Sequence, residues 1–354
     1  MDVTDGAREV RRGEELDAAA VGRFLKEKVE GLEGELAVKQ FPGGYSNLTY
    51  LVAAGEREFV LRRPPFGADI KSAHDMGREY RILKALRPVF PYCPEVFAYT
   101  EDVSIIGCPF YVMERKKEIV LRRDLPKGLS MGPGQARLLC ERLLDVHVEL
   151  HSIDAAAVGL DKLGKPEGYV RRQVEGWSER YRKARTENAP DFEKVMAWIA
   201  EKMPPDTDRP AVIHNDFKFD NVVLDENDPM KIIGVLDWEM ATYGDPLMDL
   251  GNSLAYWIQG DDPPEVQMMR LMPTNIEGAL KRDELVSRYA EKSGRDTSGF
   301  DYYFCFGLFR LAAIAQQIYR RFHLGLTKDK RFANLIFAVQ ILESRALDVM
   351  KKAK

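Results

Sequence analysis

Two short apolar runs separated by a turn constrain this chain more than anything else in it. Val222-Val223-Leu224 and Lys231 to Leu236 are β-rich, and Asp225-Glu226-Asn227-Asp228-Pro229 between them is a cluster of turn formers. An antiparallel hairpin sets the start of its first strand beside the end of its second. Asn221, just before the first run, and Asp237, just after the second, are therefore predicted to meet at the open end. Upstream, Ala211-Val212-Ile213 leads into His214-Asn215-Asp216-Phe217-Lys218-Phe219-Asp220, which places Asp216 one loop away. Polar groups at the ends of buried strands usually have a task, because burial costs them their water.

The whole reads H-x-D-x-x-x-x-N, a hairpin, an apolar residue and a second Asp. These are the parts that phosphoryl transfer from a nucleotide requires: one carboxylate to orient the attacking hydroxyl, and an amide oxygen and another carboxylate to hold Mg²⁺ on the phosphates. Asp216 is expected to accept a hydrogen bond from the acceptor hydroxyl, acting by position because the transition state is loose. Asn221 and Asp237 offer the hard oxygens that Mg²⁺ prefers. Lys218 either places its ammonium on the γ-phosphate or is a solvated loop charge. His214 is expected to pack the loop from below. The competing reading is an acidic turn on a surface hairpin, which the apolar flanks argue against.

With 354 residues the chain can form two domains or one bilobal unit. A net charge of −4 argues against a nucleic-acid binder that works by bulk electrostatics. The four cysteines (Cys93, Cys108, Cys140, Cys305) form no C-x-x-C and read as reduced core residues, so a cytoplasmic setting is expected. The start, Met1 to Asp5, is polar and lacks a signal-peptide apolar run. No segment approaches the roughly 18 consecutive apolar residues of a membrane span, so no membrane partner is expected.

The pattern predicts an N-terminal arm and helix over 1–30, the helix at Glu14–Glu30. A β lobe follows over 31–115: strands at Leu36–Phe41, Thr49–Ala53 and Glu58–Arg63, a helix at Ser72–Leu86, then strands at Glu95–Thr100 and Phe110–Glu114. Residues 116–354 form a second, mainly helical lobe. Its helices are predicted at 134–153, 169–185, 191–202, 247–259, 265–294, 302–325 and 331–351, with the hairpin embedded among them. The class is α+β, a small antiparallel sheet with one helix followed by a larger helical lobe, and ligands usually bind in clefts between lobes.

In this order of elements the chain resembles the aminoglycoside phosphotransferase and choline kinase group of kinase-like enzymes. It looks most similar to the kinase-like domains related to those fused to acyl-CoA dehydrogenases. The resemblance spans roughly residues 30 to 350. It is carried by Phe41 to Asn47, Phe59 to Pro65, Gly77 to Arg81, His214 to Asn221, Leu236 to Glu239, Gly244 to Gly251 and Phe309 to Ile314. It implies a bilobal protein-kinase-like fold and phosphorylation of a small-molecule hydroxyl, with ATP as co-substrate and Mg²⁺ as cofactor.

At the position where kinases carry a phosphate-clamping strand lysine stands Arg62, with Arg63 beside it. Arginine keeps the charge and can fork two oxygens. Strand alternation turns the two to opposite faces, so Arg62 is assigned the clamp, paired with Glu79; the bland alternative is a surface ion pair. Gly43-Gly44 offer backbone amides to the phosphates, and Ser46 and Asn47 their side chains, although Pro-Gly-Gly is also an ordinary turn. Glu114 and Arg115 are expected to present backbone N–H and C=O groups to an adenine edge. Asp249 is expected to accept hydrogen bonds from the catalytic-loop backbone, and His151 to tie the same loop down. Glu239 and Asp245 face the acceptor or cap a helix.

The chain also departs from protein kinases. It has no G-x-G-x-x-G, Asn215 precedes Asp216 in place of Arg, Trp238-Glu239 follow Asp237 in place of Phe-Gly, and there is no A-P-E segment at the protein-kinase distance. A protein kinase controlled through an activation loop is not expected. Arg62 in place of lysine favours the alternative of a catalytically silent nucleotide-binding module. Aromatics of the helical lobe mixed with Arg310, Arg320 and Arg321 lean towards an anionic or apolar acceptor, such as a hydroxyacyl thioester, over a polycation. Arg310, in an apolar helix, is alternatively a buried ion pair.

Overall fold

A computed structural model describes residues 6–41, 47–66, 75–116, 118–327 and 329–353. The chain opens with helix α1 (Ala18–Lys28), strands β1 (Ala37–Gln40), β2 (Leu48–Ala54) and β3 (Arg57–Arg63), and helix α2 (Met76–Leu86). Strand β4 (Val96–Thr100), the single turn α3 (Val103–Ile106), β5 (Phe110–Glu114) and β6 (Glu118–Val120) come next. Helices α4 (Pro133–His151), α5 (Tyr169–Ala184) and α6 (Glu193–Glu201) precede strand β7 (Ala211–Ile213). The hairpin β8 (Val222–Asp225) and β9 (Ile232–Val235) is followed by β10 (Thr242–Gly244). The rest is helical: α7 (Pro246–Ala255), α8 (Pro264–Gln267), α9 (Arg282–Ser293), α10 (Phe300–His323) and α11 (Leu335–Lys352).

The chain forms two compact units and passes between them more than once. One unit comprises Met1–Val120, Pro126–Gly128 and Asn221–Met240; the other comprises Leu121–Leu125, Leu129–Asp220 and Ala241–Lys354. The hairpin of the motif thus belongs to the first unit, and Asp216 to the second.

In the first unit, five strands form an antiparallel sheet in the order β1-β2-β3-β5-β4. Gly55, at φ 60°, takes the left-handed turn conformation that closes β2 onto β3, a geometry glycine adopts without steric cost. Helix α1 starts where Asp17 accepts a hydrogen bond from the Ala20 amide, and it buries Val21 and Leu25 against Tyr50, Val52, Phe59, Leu61 and Phe110 of the sheet. Each such side chain contributes roughly 1.5–3 kcal/mol of burial. A second sheet, β6-β8-β9, carries the motif hairpin, with Val222 opposite Val235.

In the second unit α10 is the central helix, with Phe306, Leu308, Phe309 and Ala312 fully buried among α5, α7 and α11. It crosses α7 in backbone contact. A Cβ on Gly251 would lie 2.3 Å from the Tyr303 carbonyl oxygen, and one on Gly307 would lie 2.2 Å from that of Gly251. Only hydrogen fits at either place. The ribbon β7-β10 pairs Ile213 with Thr242 and ends where His214 begins.

The chain departs from the pattern reading in three places. Residues 265–294 do not form continuous helix: only α8 and α9 do, and the stretch between them holds Pro273 and a Gly278 at φ 87°. A Cβ on Gly278 would meet the Pro133 carbonyl at 2.1 Å, so the bend is fixed by backbone approaching backbone. Helix α7 stops at Ala255, four residues short of the expected 259. Strands β6, β7 and β10 are three residues each, too short for a periodicity to register. No helix among the described residues is long and apolar enough to cross a membrane.

Candidate active site

Strand β3 carries Arg62 and Arg63 in succession, and their surroundings differ. Arg63 donates to the carbonyls of Pro64 and Ile106 and stacks on Phe66 at 3.7 Å. Arg62 lies among carboxylates: its Nη1 is 2.7 Å from Glu79 Oε1, and its Nη2 is 3.1 Å from Asp237 Oδ1 and 3.8 Å from Glu239 Oε2. Glu79 is a buried residue in the first turn of α2. Burial opposes the Arg62 charge, yet Glu79 first and then its other neighbours hold its pKa well above the usual value. Burial raises the Glu79 pKa, Arg62 pulls it back and Asp237 pushes it up again, leaving it raised. Three carboxylates thus share one guanidinium, and the surplus negative charge suits a cation at Asp237, whose side chain is 36% exposed.

The hairpin supplies the local geometry. The Leu236 amide donates to the Asn221 carbonyl at 2.8 Å, which brings the residue ahead of β8 beside the residue ahead of Asp237. Asp237 itself takes φ 65°, a left-handed conformation rare outside glycine and tolerated best by Asn and Asp. An amide oxygen and a carboxylate from this turn fit the hard-oxygen ligation of Mg²⁺. Glu239 receives a hydrogen bond from Asn47 Nδ2 at 3.0 Å, and its carbonyl accepts from Arg78. Gly43, Gly44 and Ser46 lie outside the described residues.

The expectation for Glu114 needs correction. Its amide donates to the Glu95 carbonyl at 2.7 Å, so it has no N–H left for a purine edge. Its carboxylate accepts from the Glu95 amide and from Lys116, while the Arg115 guanidinium is spent on Glu58 at 2.7 Å. At this position only the backbone of Arg115 and the carbonyl of Glu114 stay candidates for a base.

In the second unit β7 leads into a loop held from below by one buried carboxylate. Asp249 in α7 accepts the His214 amide at 2.8 Å on Oδ2 and the Asn215 amide at 2.7 Å on Oδ1. The same Oδ2 meets Nε2 of His147 and of His151, each at 3.1 Å. Both imidazoles face an acceptor, so the arrangement requires Nε2–H on each, and His151 Nδ1 then accepts from the Tyr289 hydroxyl at 2.8 Å. Burial opposes charge on Asp249, but the histidine bonds hold its pKa well below the carboxylate range. Burial and His147 push His151 down to about 3, so it is neutral near pH 7. The ligand atoms of His147, His151 and Asp249 lie within 4.8 Å of one another. Asp249 Oδ2 already accepts three hydrogen bonds, so we read the cluster as a brace for the loop and not as a metal site.

Asn215 takes φ 64°, and its side-chain oxygen accepts from Asn252 Nδ2 at 3.2 Å and from the Tyr169 hydroxyl at 3.4 Å. The Asp216 amide then donates to His214 Nδ1 at 3.2 Å. His214 is wholly buried under the loop. Lys218 donates to Asp216 Oδ2, reaches Asp220 at 3.6 Å and sets its ammonium 4.8 Å over the Tyr256 ring. Burial disfavours the Lys218 charge, but Asp216 and its other neighbours raise its pKa above the usual value. Lys218 is therefore a mostly buried, paired cation and not a solvated loop charge.

Of the open alternatives, Asp245 is the N-cap of α7, accepting from the Leu247 and Met248 amides. Glu239 faces Arg62 and Asn47. Arg310 is buried with its guanidinium 5.2 Å over the Trp177 ring. Sequence reasoning missed His147, Tyr289 and Asn252. The first was marked by H-x-x-x-H, which puts His147 and His151 on one helix face; the other two carry no local signal.

Three kinds of comparison bear on this site. The model of the phosphotransferase enzyme family matches residues 37–273. Acyl-CoA dehydrogenase family member 11 of Gallus gallus is 31% identical over 363 residues, covering 99% of this chain and 46% of that protein. The chain thus spans about half the length of the curated relatives it matches. A Ralstonia eutropha crystal structure, provisionally described as an aminoglycoside phosphotransferase, is 28% identical with a TM-score of 0.82, over 96% of this chain and 100% of that one. Choline kinase from Cryptosporidium parvum shares the fold, at 12% identity and a TM-score of 0.64 over 95% of this chain and 96% of that one.

Proposed function

The chain belongs to the phosphotransferase enzyme family, and we propose that it transfers the γ-phosphoryl group of ATP, with Mg²⁺, to a hydroxyl of a small molecule. The observation that carries this reading is the fixing of Asp216. Its loop is pinned through two consecutive amides to a buried, ionised Asp249, and its carboxylate is partnered by Lys218. A carboxylate held this firmly is suited to orienting a hydroxyl, which is most of what a loose transition state asks of a base.

The remaining roles follow from the chemistry of each group. Asp216 accepts the hydrogen bond of the acceptor hydroxyl and takes its proton as the new P–O bond forms. Lys218 stabilises charge on the transferring oxygens. Arg62, held by Glu79, binds the nucleotide phosphates with a bidentate fork, and Asn47 assists from β2's leading edge. Asn221 and Asp237 are the residues that would hold Mg²⁺, which neutralises charge on the phosphates when bound.

The acceptor reading comes from a cavity of about 470 Å³ in the helical unit. Tyr256, the residue under the Lys218 ammonium, forms part of its wall, with Leu311, Leu335 and Leu342. Arg123 and Arg270 also line it, Arg270 paired with Asp124 at 2.7 Å, and no carboxylate among the described residues does. Such a lining suits an apolar body with an anionic end and disfavours a polycation. Together with relatives named as acyl-CoA dehydrogenase family members, this supports a hydroxyacyl thioester as acceptor. The test is transfer of labelled γ-phosphate to a panel of hydroxyacyl-CoA thioesters, with aminoglycosides alongside. Label on a thioester supports the acceptor class, and label on the aminoglycosides alone overturns it.

A second reading, a nucleotide-binding module without turnover, is favoured by one contact. Arg62 occupies Asp237 Oδ1 at 3.1 Å, an oxygen that a metal at Asp237 would compete for. ATP binding with no product from any acceptor would establish it.

A further inference from the structure

The helical unit holds a second cavity, about 450 Å³, that the transfer chemistry does not use. It opens beside α11 and the segment leading into α8, with Phe304 among its lining residues. Two guanidiniums sit near that ring, Arg282 at 5.5 Å and Arg345 at 5.8 Å. One carboxylate lies between them. Asp262 is taken by Arg282 through both oxygens, at 2.6 and 2.7 Å, and Arg282 also donates to the Trp257 carbonyl. Arg345 is left with Asp262 Oδ1 at 3.6 Å, beyond a hydrogen bond.

Arg345 is therefore a mostly buried cation whose ion pair, to a carboxylate already shared with Arg282, is long. Its side chain is 12% exposed, and its Nη1 is buried with no hydrogen-bond partner among the described residues. A buried guanidinium nitrogen with no acceptor is costly to keep, and natural structures rarely keep one without an ion or water to satisfy it. A single water would satisfy one N–H but not the charge, and the space holds far more than one. The Asp262 oxygens are committed to Arg282 and are not free for a bound cation.

The other charged groups of the lining do not neutralise Arg345. Asp348 is paired with Lys351 at 2.8 Å, Glu265 is exposed on the first turn of α8, and Lys352 adds a second positive charge. Gln340 and Ser344, on the α11 wall, can complete a hydrogen-bonding shell. Val266, Ile341 and Val349 offer an apolar side to whatever the anion is attached to.

We propose that this cavity is a binding site for a small anionic molecule, its carboxylate or phosphate group forked by Arg345, separate from the phosphoryl-transfer residues. Burial, with Arg282 nearby, already lowers the Arg345 pKa to about 10, and an anion would reverse that. The role assigned to the site is recognition.

The test uses the full chain with a non-hydrolysable ATP analogue and Mg²⁺ at saturation, so that the phosphate positions of the nucleotide site are filled. Melting is followed in chloride buffer, then with added sodium phosphate or sodium acetate, for the wild type and Arg345→Met. Phosphate or acetate at about a hundred times its Kd is expected to raise the wild-type Tm on the order of 5 °C. The response of one anion and not the other identifies the group preferred. Arg345→Met is expected to melt in chloride at or above the wild-type temperature, since it removes a poorly paired buried charge, and to lose the anion response. The proposal is overturned if neither anion moves the wild type, if the variant responds as the wild type does, or if the variant is destabilised or unfolded in chloride. The last result would mean that the guanidinium has a structural task instead.

Discussion

Replacing Asp249 by Asn changes one atom and charge at the foot of the loop that carries Asp216. Oδ1 accepts the Asn215 amide, and the asparagine oxygen can keep that bond. Oδ2 accepts the His214 amide and both imidazole Nε2 groups, and there the new NH₂ faces three donors. The histidines can retreat by moving their proton to Nδ1, His151 then donating to Tyr289. The His214 amide has no such choice and is left buried without an acceptor, at about 1–3 kcal/mol. Loss of charge from the remaining bonds adds about another 1 kcal/mol. We expect Asp249→Asn to be less stable by ~2–4 kcal/mol, read as a lower urea midpoint at unchanged slope. Amide exchange at His214 and Asn215 should accelerate with it. A loss below about 1 kcal/mol with both amides still protected would refute the brace, because no other acceptor for the His214 N–H is then needed.

Other consequences follow from the same geometry. His151 has a native pKa near 3 against an ordinary 6.5, so the unfolded chain binds a proton the native one refuses; stability is full above about pH 6.5 and falls as pH drops from there towards 3, which urea titrations across that range will show and which His151→Phe should flatten. Gly251→Ala forces a methyl to within 2.3 Å of the Tyr303 carbonyl oxygen, and overpacking of backbone on backbone should cost about 2–3 kcal/mol in denaturant, whereas Gly31→Ala, with nothing near it, should cost no more than its strained φ of 69°. Arg62→Ala should weaken ATP binding at least tenfold with the fold intact, because it removes the fork and also leaves Glu79 and Asp237 facing each other; a variant that binds ATP like the wild type would remove Arg62 from the phosphate site.

The parts of this chain that could be read from its sequence are those in which local rules and the fold agree. The strands of the first unit are short β-rich runs bounded by turns that hold Gly55 or Asp225-Glu226-Asn227, so β2, β3, β8 and β9 were foreseeable to within a residue or two. Arg62 and Glu79 could be paired in advance because Arg62 stands where the family carries its clamping lysine; strand alternation said only that Arg62 and Arg63 cannot both serve. Failure came where contacts between distant residues decide the local structure. The bend at Gly278 exists because the Pro133 backbone lies against it, 145 residues away along the chain by the numbering, and no window of sequence contains both. The amide of Glu114 looked free because the register that sets it against the Glu95 carbonyl, just ahead of β4, cannot be read from either segment alone. Tyr289 and Asn252 reach the loop through α9 and α7, whose polar residues at those positions are indistinguishable in sequence from surface ones.

The account turns on Asp216 positioning an acceptor hydroxyl, and the most direct measurement compares product formation and nucleotide affinity in the wild type and Asp216→Asn. The account predicts an ATP dissociation constant unchanged within about twofold and phosphorylation slower by a factor of ~10² or more, the usual worth of a positioned proton acceptor. Equal turnover by the two proteins would contradict it.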